Sequence, residues 1–161
     1  MTECAPVKSR WLVVGILLIS AAAFAISVWG GRWWSIEDVT IGPFGSTSCF
    51  GDECRRGDLG WVGGTGRWMR AGMAAWAGGV LTMLVLLGVA AGVAARRVPR
   101  LAAKMAIVSI VTTLAAGSLF IVQFPGLGGA SISRGLPLFF VGAITGLVGA
   151  IAVLRARAVA A

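Results

Sequence analysis

Cys49 and Cys54 are the residues whose types and spacing lend themselves most readily to chemistry. Four residues separate them, Asp52 and Glu53 precede the second, and Arg55 and Arg56 follow it. Two thiols so arranged allow three uses. They can close a structural disulfide in a compartment where such bonds persist. They can cycle between thiol and disulfide, a use favoured by the adjacent arginines, because neighbouring positive charge favours the thiolate. They can bind a metal with the two carboxylates, but a closed zinc site takes four ligands and the chain has no histidine. Without histidine the commonest general base is missing as well. The structural bond is the expectation, with no metal, no cofactor and no catalytic group. The third cysteine, Cys4, lacks the preceding apolar run of a lipobox and reads as a bystander thiol, with acylation as the alternative.

The surroundings of the pair are not those of a soluble enzyme. The chain has 161 residues, of which 58% are hydrophobic and 12% charged, with a mean hydropathy of +0.90. A soluble domain is roughly 45–50% apolar and about 25% charged. The net charge of +8 does not indicate a nucleic-acid partner, since the Lys and Arg residues lie between long apolar runs and do not cluster on one exposed face.

Four runs are long enough to cross a bilayer core of about 30 Å as helices. They are 11–29, 71–95, 105–124 and 136–154, and the connections between them include a large loop, 30–70, and a short one, 125–135. The whole chain, 1–161, therefore reads as one all-α membrane domain, a four-transmembrane-helix bundle carrying a small, disulfide-stapled, β-containing loop domain.

Charge sets the expected orientation, because short cytoplasmic segments carry the excess of Lys and Arg. Lys8 and Arg10, then Arg96, Arg97, Arg100 and Lys104, then Arg155 and Arg157 occupy the tails and the link between the middle runs, against the single acid Glu3. The two loops nearly balance, with six arginines against five acids. Both termini are expected in the cytoplasm and both loops outside, in a multi-pass protein of the plasma (inner) membrane. A second reading of the first run is open: Lys8, Arg10 and the A-x-A-like Ala23-Phe24-Ala25 also fit a cleaved secretory signal.

No Asp, Glu, Lys or Arg lies within the four runs. Proton relays and ion pathways depend on such residues, so pumping is not expected. The hydroxyls of Ser20, Thr82, Ser109, Thr112, Thr113, Ser118 and Thr145 are read as back-bonding to their own helix or bridging to a neighbour. Small residues four apart, Ala71-Ala75-Gly79, Gly88-Gly92 and Gly142-Gly146-Ala150, are read as helix-packing rows within the bundle, with a second subunit as the alternative for the last.

In the large loop, Val39 and Ile41 alternate with Asp38 and Thr40, which predicts a short strand before Gly42-Pro43. A domain of that size cannot build a sufficient core alone, and the Cys49–Cys54 staple meets that need. Trp33, Trp34, Phe44 and Phe50 are expected to anchor a partner, as buried aromatics dominate interface energy. Membrane anchoring or loop core is the alternative for them. Trp29, Trp61 and Trp68 are placed with Trp33 and Trp34 at the membrane interface.

With these residues in view, the layout resembles the claudin and peripheral-myelin-protein superfamily of tetraspans. Trp33 or Trp34 matches a Trp after the first span. Gly42-Pro43-Phe44 stands where that family has Gly-Leu-Trp, Cys49 and Cys54 match its cysteine pair, and Arg67 or Arg70 matches an Arg before the second span. Phe44 replaces the motif Trp, four residues instead of two separate it from Cys49, and the cysteine interval is shorter. The resemblance implies a left-handed four-helix bundle under a small antiparallel sheet drawn from both loops. It also implies a role in cell contact, barrier formation or chaperoning of a membrane partner. The Arg-, Ala-, Gly- and Val-rich composition suggests a GC-rich bacterial genome, where animal junctions do not exist. Size and topology are also similar to quinone-linked disulfide oxidases of the DsbB type, although those have Cys-x-x-Cys in the first loop and a second pair in the other, and 125–135 has no cysteine.

The leading expectation is a non-enzymatic tetraspan whose outer loop contacts another membrane protein or copies of itself, with lipids as its other partners. The alternative is a thiol-disulfide oxidoreductase using Cys49 and Cys54.

Overall fold

Each of the four apolar runs forms a single helix; all four helices start before their expected bounds, and only the fourth also runs past its expected end. The computed structural model describes residues 7–30, 32–97 and 100–158; Glu3, Cys4 and Gly31, including the acylation reading of Cys4, lie outside them. The helices are α1 (Val7–Trp29), α2 (Gly66–Ala94), α3 (Arg100–Val122) and α4 (Gly135–Ala158). All four are long and apolar enough to cross a membrane. Arg100 and Lys104, expected in a link, belong instead to the start of α3, because Arg, Leu, Ala and Lys are all good helix formers. At 29 residues α2 is about 43 Å long, well beyond the bilayer core of about 30 Å. It starts earlier than the sequence suggested because Thr65 caps it, its hydroxyl accepting from the Trp68 N–H at 3.3 Å.

The helices pack as a ring, α1 against α2 and α4, and α3 against α2 and α4. Rows of small residues let the backbones close. A Cβ on Gly142 would lie 3.2 Å from the Phe24 ring, one on Gly146 2.6 Å from the Ser20 hydroxyl, and Ala150 is buried. The Gly142-Gly146-Ala150 row thus packs inside the bundle, mostly on α1. Gly88 of the second row has open space where a side chain would stand. Hydroxyls play both expected parts. Thr112 and Thr145 back-bond to Val108 and Val141, while Ser20 donates to the Gly142 carbonyl at 2.6 Å. Thr82 bridges α2 to Ser109 and Thr113 of α3 at 2.6 and 3.0 Å. Around the ring, large apolar side chains such as Leu12, Ile19, Leu81, Leu84, Val108 and Ile144 are exposed.

A five-stranded antiparallel sheet caps one end of the ring. Its strands are β1 (Trp34–Ile36), β2 (Val39–Ile41), β3 (Ser46–Phe50), β4 (Glu53–Gly57) and β5 (Ser131–Ile132), in the order β4-β3-β2-β1-β5. The large loop supplies four strands and the short loop the fifth. The predicted strand at Val39 and Ile41 is β2. Ser131 donates to the Ser35 carbonyl and Ser133 N–H to the Trp33 carbonyl, fastening the two loops together.

Candidate functional site

The sheet end is built on an aromatic plug. Trp33 has no exposed surface, with its ring centroid 4.9 Å from Phe139, 5.6 Å from Phe120 and 6.1 Å from Trp34. Its indole N–H donates to the Ser27 carbonyl and hydroxyl, both at 3.2 Å, so the plug's polar atom is satisfied near the end of α1. Trp34 stacks on Phe124 at 4.3 Å with the planes 7° apart. Of the two uses expected for Trp33 and Trp34, partner anchor or loop core, their burial fits the second. Between them they fill the gap between bundle and sheet, a burial that an interfacial position would not offer.

Trp68, expected at the membrane interface, is instead fully buried, stacked on Phe120 at 4.9 Å. Its indole N–H donates to the Phe120 carbonyl at 2.9 Å. The Phe124 N–H bonds Ile121 instead of Phe120, so the Phe120 carbonyl is one of the unpaired acceptors that every helix C-terminus leaves, and Trp68 satisfies it. Phe120 near the end of α3, Phe124 just past it and Phe139 of α4 are plug residues that the sequence reading did not single out, since each stands in or beside an apolar run with nothing to set it apart.

The turn between β2 and β3 is seated on α2. The Pro43 carbonyl lies where a Cβ on Gly72 would approach it to 2.5 Å, and the Phe44 ring lies 4.7 Å from Trp76. Phe44 is nevertheless 62% exposed, at the level of the third turn of α2.

Beyond that turn the sheet leaves the bundle. Side chains alternate along strands, so the register puts Ser46, Ser48 and Phe50 on the bundle-facing side with Trp34, Val39 and Ile41. Phe50 is 71% exposed and every residue of β4 is exposed, so the β3–β4 hairpin overhangs the ring. Gly51, with φ 60°, occupies the first central position of its two-residue turn, where a type II′ turn calls for glycine.

Cys49 and Cys54 face each other across this hairpin and are bonded, with their Cα atoms 4.1 Å apart. The Cys49 N–H donates to Asp38 beside β2, so toward β4 it forms a non-hydrogen-bonded pair, the closer of the two kinds of antiparallel position. The ladder therefore presents the two sulfurs to each other before they bond. Arg55 and Glu53, the only ion pair among the described residues, are 3.5 Å apart and almost fully exposed, which contributes little stability. No group of metal-ligating side chains occurs among the described residues.

No protein-family model matches the chain, and no curated protein or solved structure matches it.

Proposed function

We propose that the chain is a claudin-like tetraspan of the plasma (inner) membrane, with both termini cytoplasmic, that works without catalysis by presenting its sheet to another membrane protein or to a second copy. The exposed apolar belt supports insertion, and the excess of basic residues away from the sheet supports the orientation. The sheet drawn from both loops fits the claudin-type layout.

The overhanging β3–β4 hairpin carries the contact reading. It holds Phe50 out where the bundle gives it nothing to pack on, and it ends in an open strand edge. The pairing pattern turns the backbone groups of Cys54 and Arg56 toward that edge, available to a partner strand. Trp33 and Trp34 serve as the foundation of the surface; Phe44 is exposed but seated against Trp76, and Phe50 is the exposed anchor with no such seat.

In mild detergent the wild-type protein is expected to run above its monomer mass of 16.5 kDa, or with a co-purifying membrane protein. Phe50→Asp should return it to the monomer with unchanged helix content. A wild-type monomer without companions counts against the proposal.

The oxidoreductase reading keeps one observation in its favour: Cys54 is exposed beside two arginines. Reoxidising the pair would deliver two electrons and two protons to a quinone and yield a quinol. The second cysteine pair that would pass electrons on is missing, because the chain holds only three cysteines.

A further inference from the structure

A cleft of about 340 Å³ opens at the sheet end between α1 and α4, lined by Ile26, Gly30, Arg32, Arg134, Gly135 and Leu138. Two backbone hydrogen bonds build its upper rim. The Gly135 N–H donates to the Arg32 carbonyl at 2.7 Å and the Ser133 N–H to the Trp33 carbonyl at 2.8 Å, so the loops carrying the two arginines are laced together. Gly135 permits this, because a Cβ there would lie 2.5 Å from the Arg32 carbonyl oxygen. The lower wall is apolar, formed by exposed Ile26 and half-buried Leu138 on the last turns of α1 and the first of α4. Neither arginine is in an ion pair among the described residues.

We propose that this cleft binds an anionic phospholipid, its phosphate between Arg32 and Arg134 and the first part of its acyl chain along Ile26 and Leu138. The proposal rests on the membrane reading above, which puts Trp29 and the start of α4 at the outer headgroup level. Guanidinium groups bind phosphate through paired N–H donors. Two of them with no acid partner favour a headgroup of net negative charge, because a zwitterionic headgroup brings its own cation into the cleft. The volume lies within the range of about 300–1,000 Å³ usual for small-molecule sites. The vertical order, charge above and hydrocarbon below, is that of a lipid in its leaflet, which a free anion has no use for.

Native mass spectrometry of protein released from nanodiscs of equal palmitoyl-oleoyl phosphatidylglycerol and palmitoyl-oleoyl phosphatidylcholine tests this. Wild type should retain the glycerol lipid about tenfold over the choline lipid, given the attraction of each basic residue for anionic headgroups. Arg32→Gln/Arg134→Gln should lose the preference, each single variant losing part of it, while Arg55→Gln/Arg56→Gln on the hairpin should keep it. Both cleft side chains are exposed, and helix content checks that the variants fold. Equal retention by wild type and the double variant overturns the proposal, as does displacement of the lipid by millimolar inorganic phosphate, which would mark a free-anion site. Failure of the membrane reading is distinguishable, because the protein would then be stripped from vesicles by a high-salt wash.

Discussion

Replacing Trp33 with Ala should lower the free energy of unfolding by about 3–5 kcal/mol, the range for emptying a buried aromatic site. The side chain is wholly enclosed by Trp34, Phe120 and Phe139, and it donates to Ser27 at the end of α1. The truncation therefore removes contacts with α3, α4 and the sheet at once, together with the hydrogen bonds to Ser27. Thermal unfolding in detergent, followed by helix content and tryptophan emission, should show a lower midpoint. Trp29→Ala, which removes a side chain 62% exposed, should leave the midpoint near that of wild type. Equal midpoints for Trp33→Ala and wild type would show that the plug does not hold sheet to bundle.

Gly72→Val should cost about 1–3 kcal/mol or more, as overpacked substitutions do. A Cβ at Gly72 would come within 2.5 Å of the Pro43 carbonyl oxygen and 2.7 Å of the Phe120 ring. The ring can give way, but the carbonyl belongs to the turn that seats the sheet on α2, so relief requires the turn to lift. Limited proteolysis should then cut within residues 42–45 in Gly72→Val and leave that turn intact in wild type. Gly88→Val, where space is open on the same helix, should match wild type in both stability and cleavage.

The helices were legible in the sequence because nothing but apolar composition decides them, and only their ends moved, where good helix formers such as Arg100 and Lys104 carried the coil on into the charges. The predicted strand at Val39–Ile41 was legible through its alternation. Strands β3 and β4 were not, since Ser46-Thr47-Ser48 and Glu53-Cys54-Arg55-Arg56 offer no apolar period. A hairpin that overhangs the bundle buries neither face against it, so no such period is needed. The tryptophans were the other blind spot. Beside the ends of apolar runs, Trp33, Trp34 and Trp68 suggest interfacial anchors, whereas Trp33 and Trp68 turn inward and donate to carbonyls near the ends of α1 and α3.

The β3–β4 hairpin is read here as a fixed contact surface in which nothing is oxidised or reduced, and the Cys49–Cys54 bond decides between that and the alternative. Ladder hydrogen bonds on both sides hold the two sulfurs together even when reduced, which favours the closed form. The direct measurement is to equilibrate the membrane-embedded protein in glutathione buffers of stepped potential, trap free thiols, and then add a quinone. A structural bond resists the glutathione pool, so the bond should remain closed at every step, with no quinol formed. A pair that opens within the glutathione range and closes again as quinol accumulates would contradict the account.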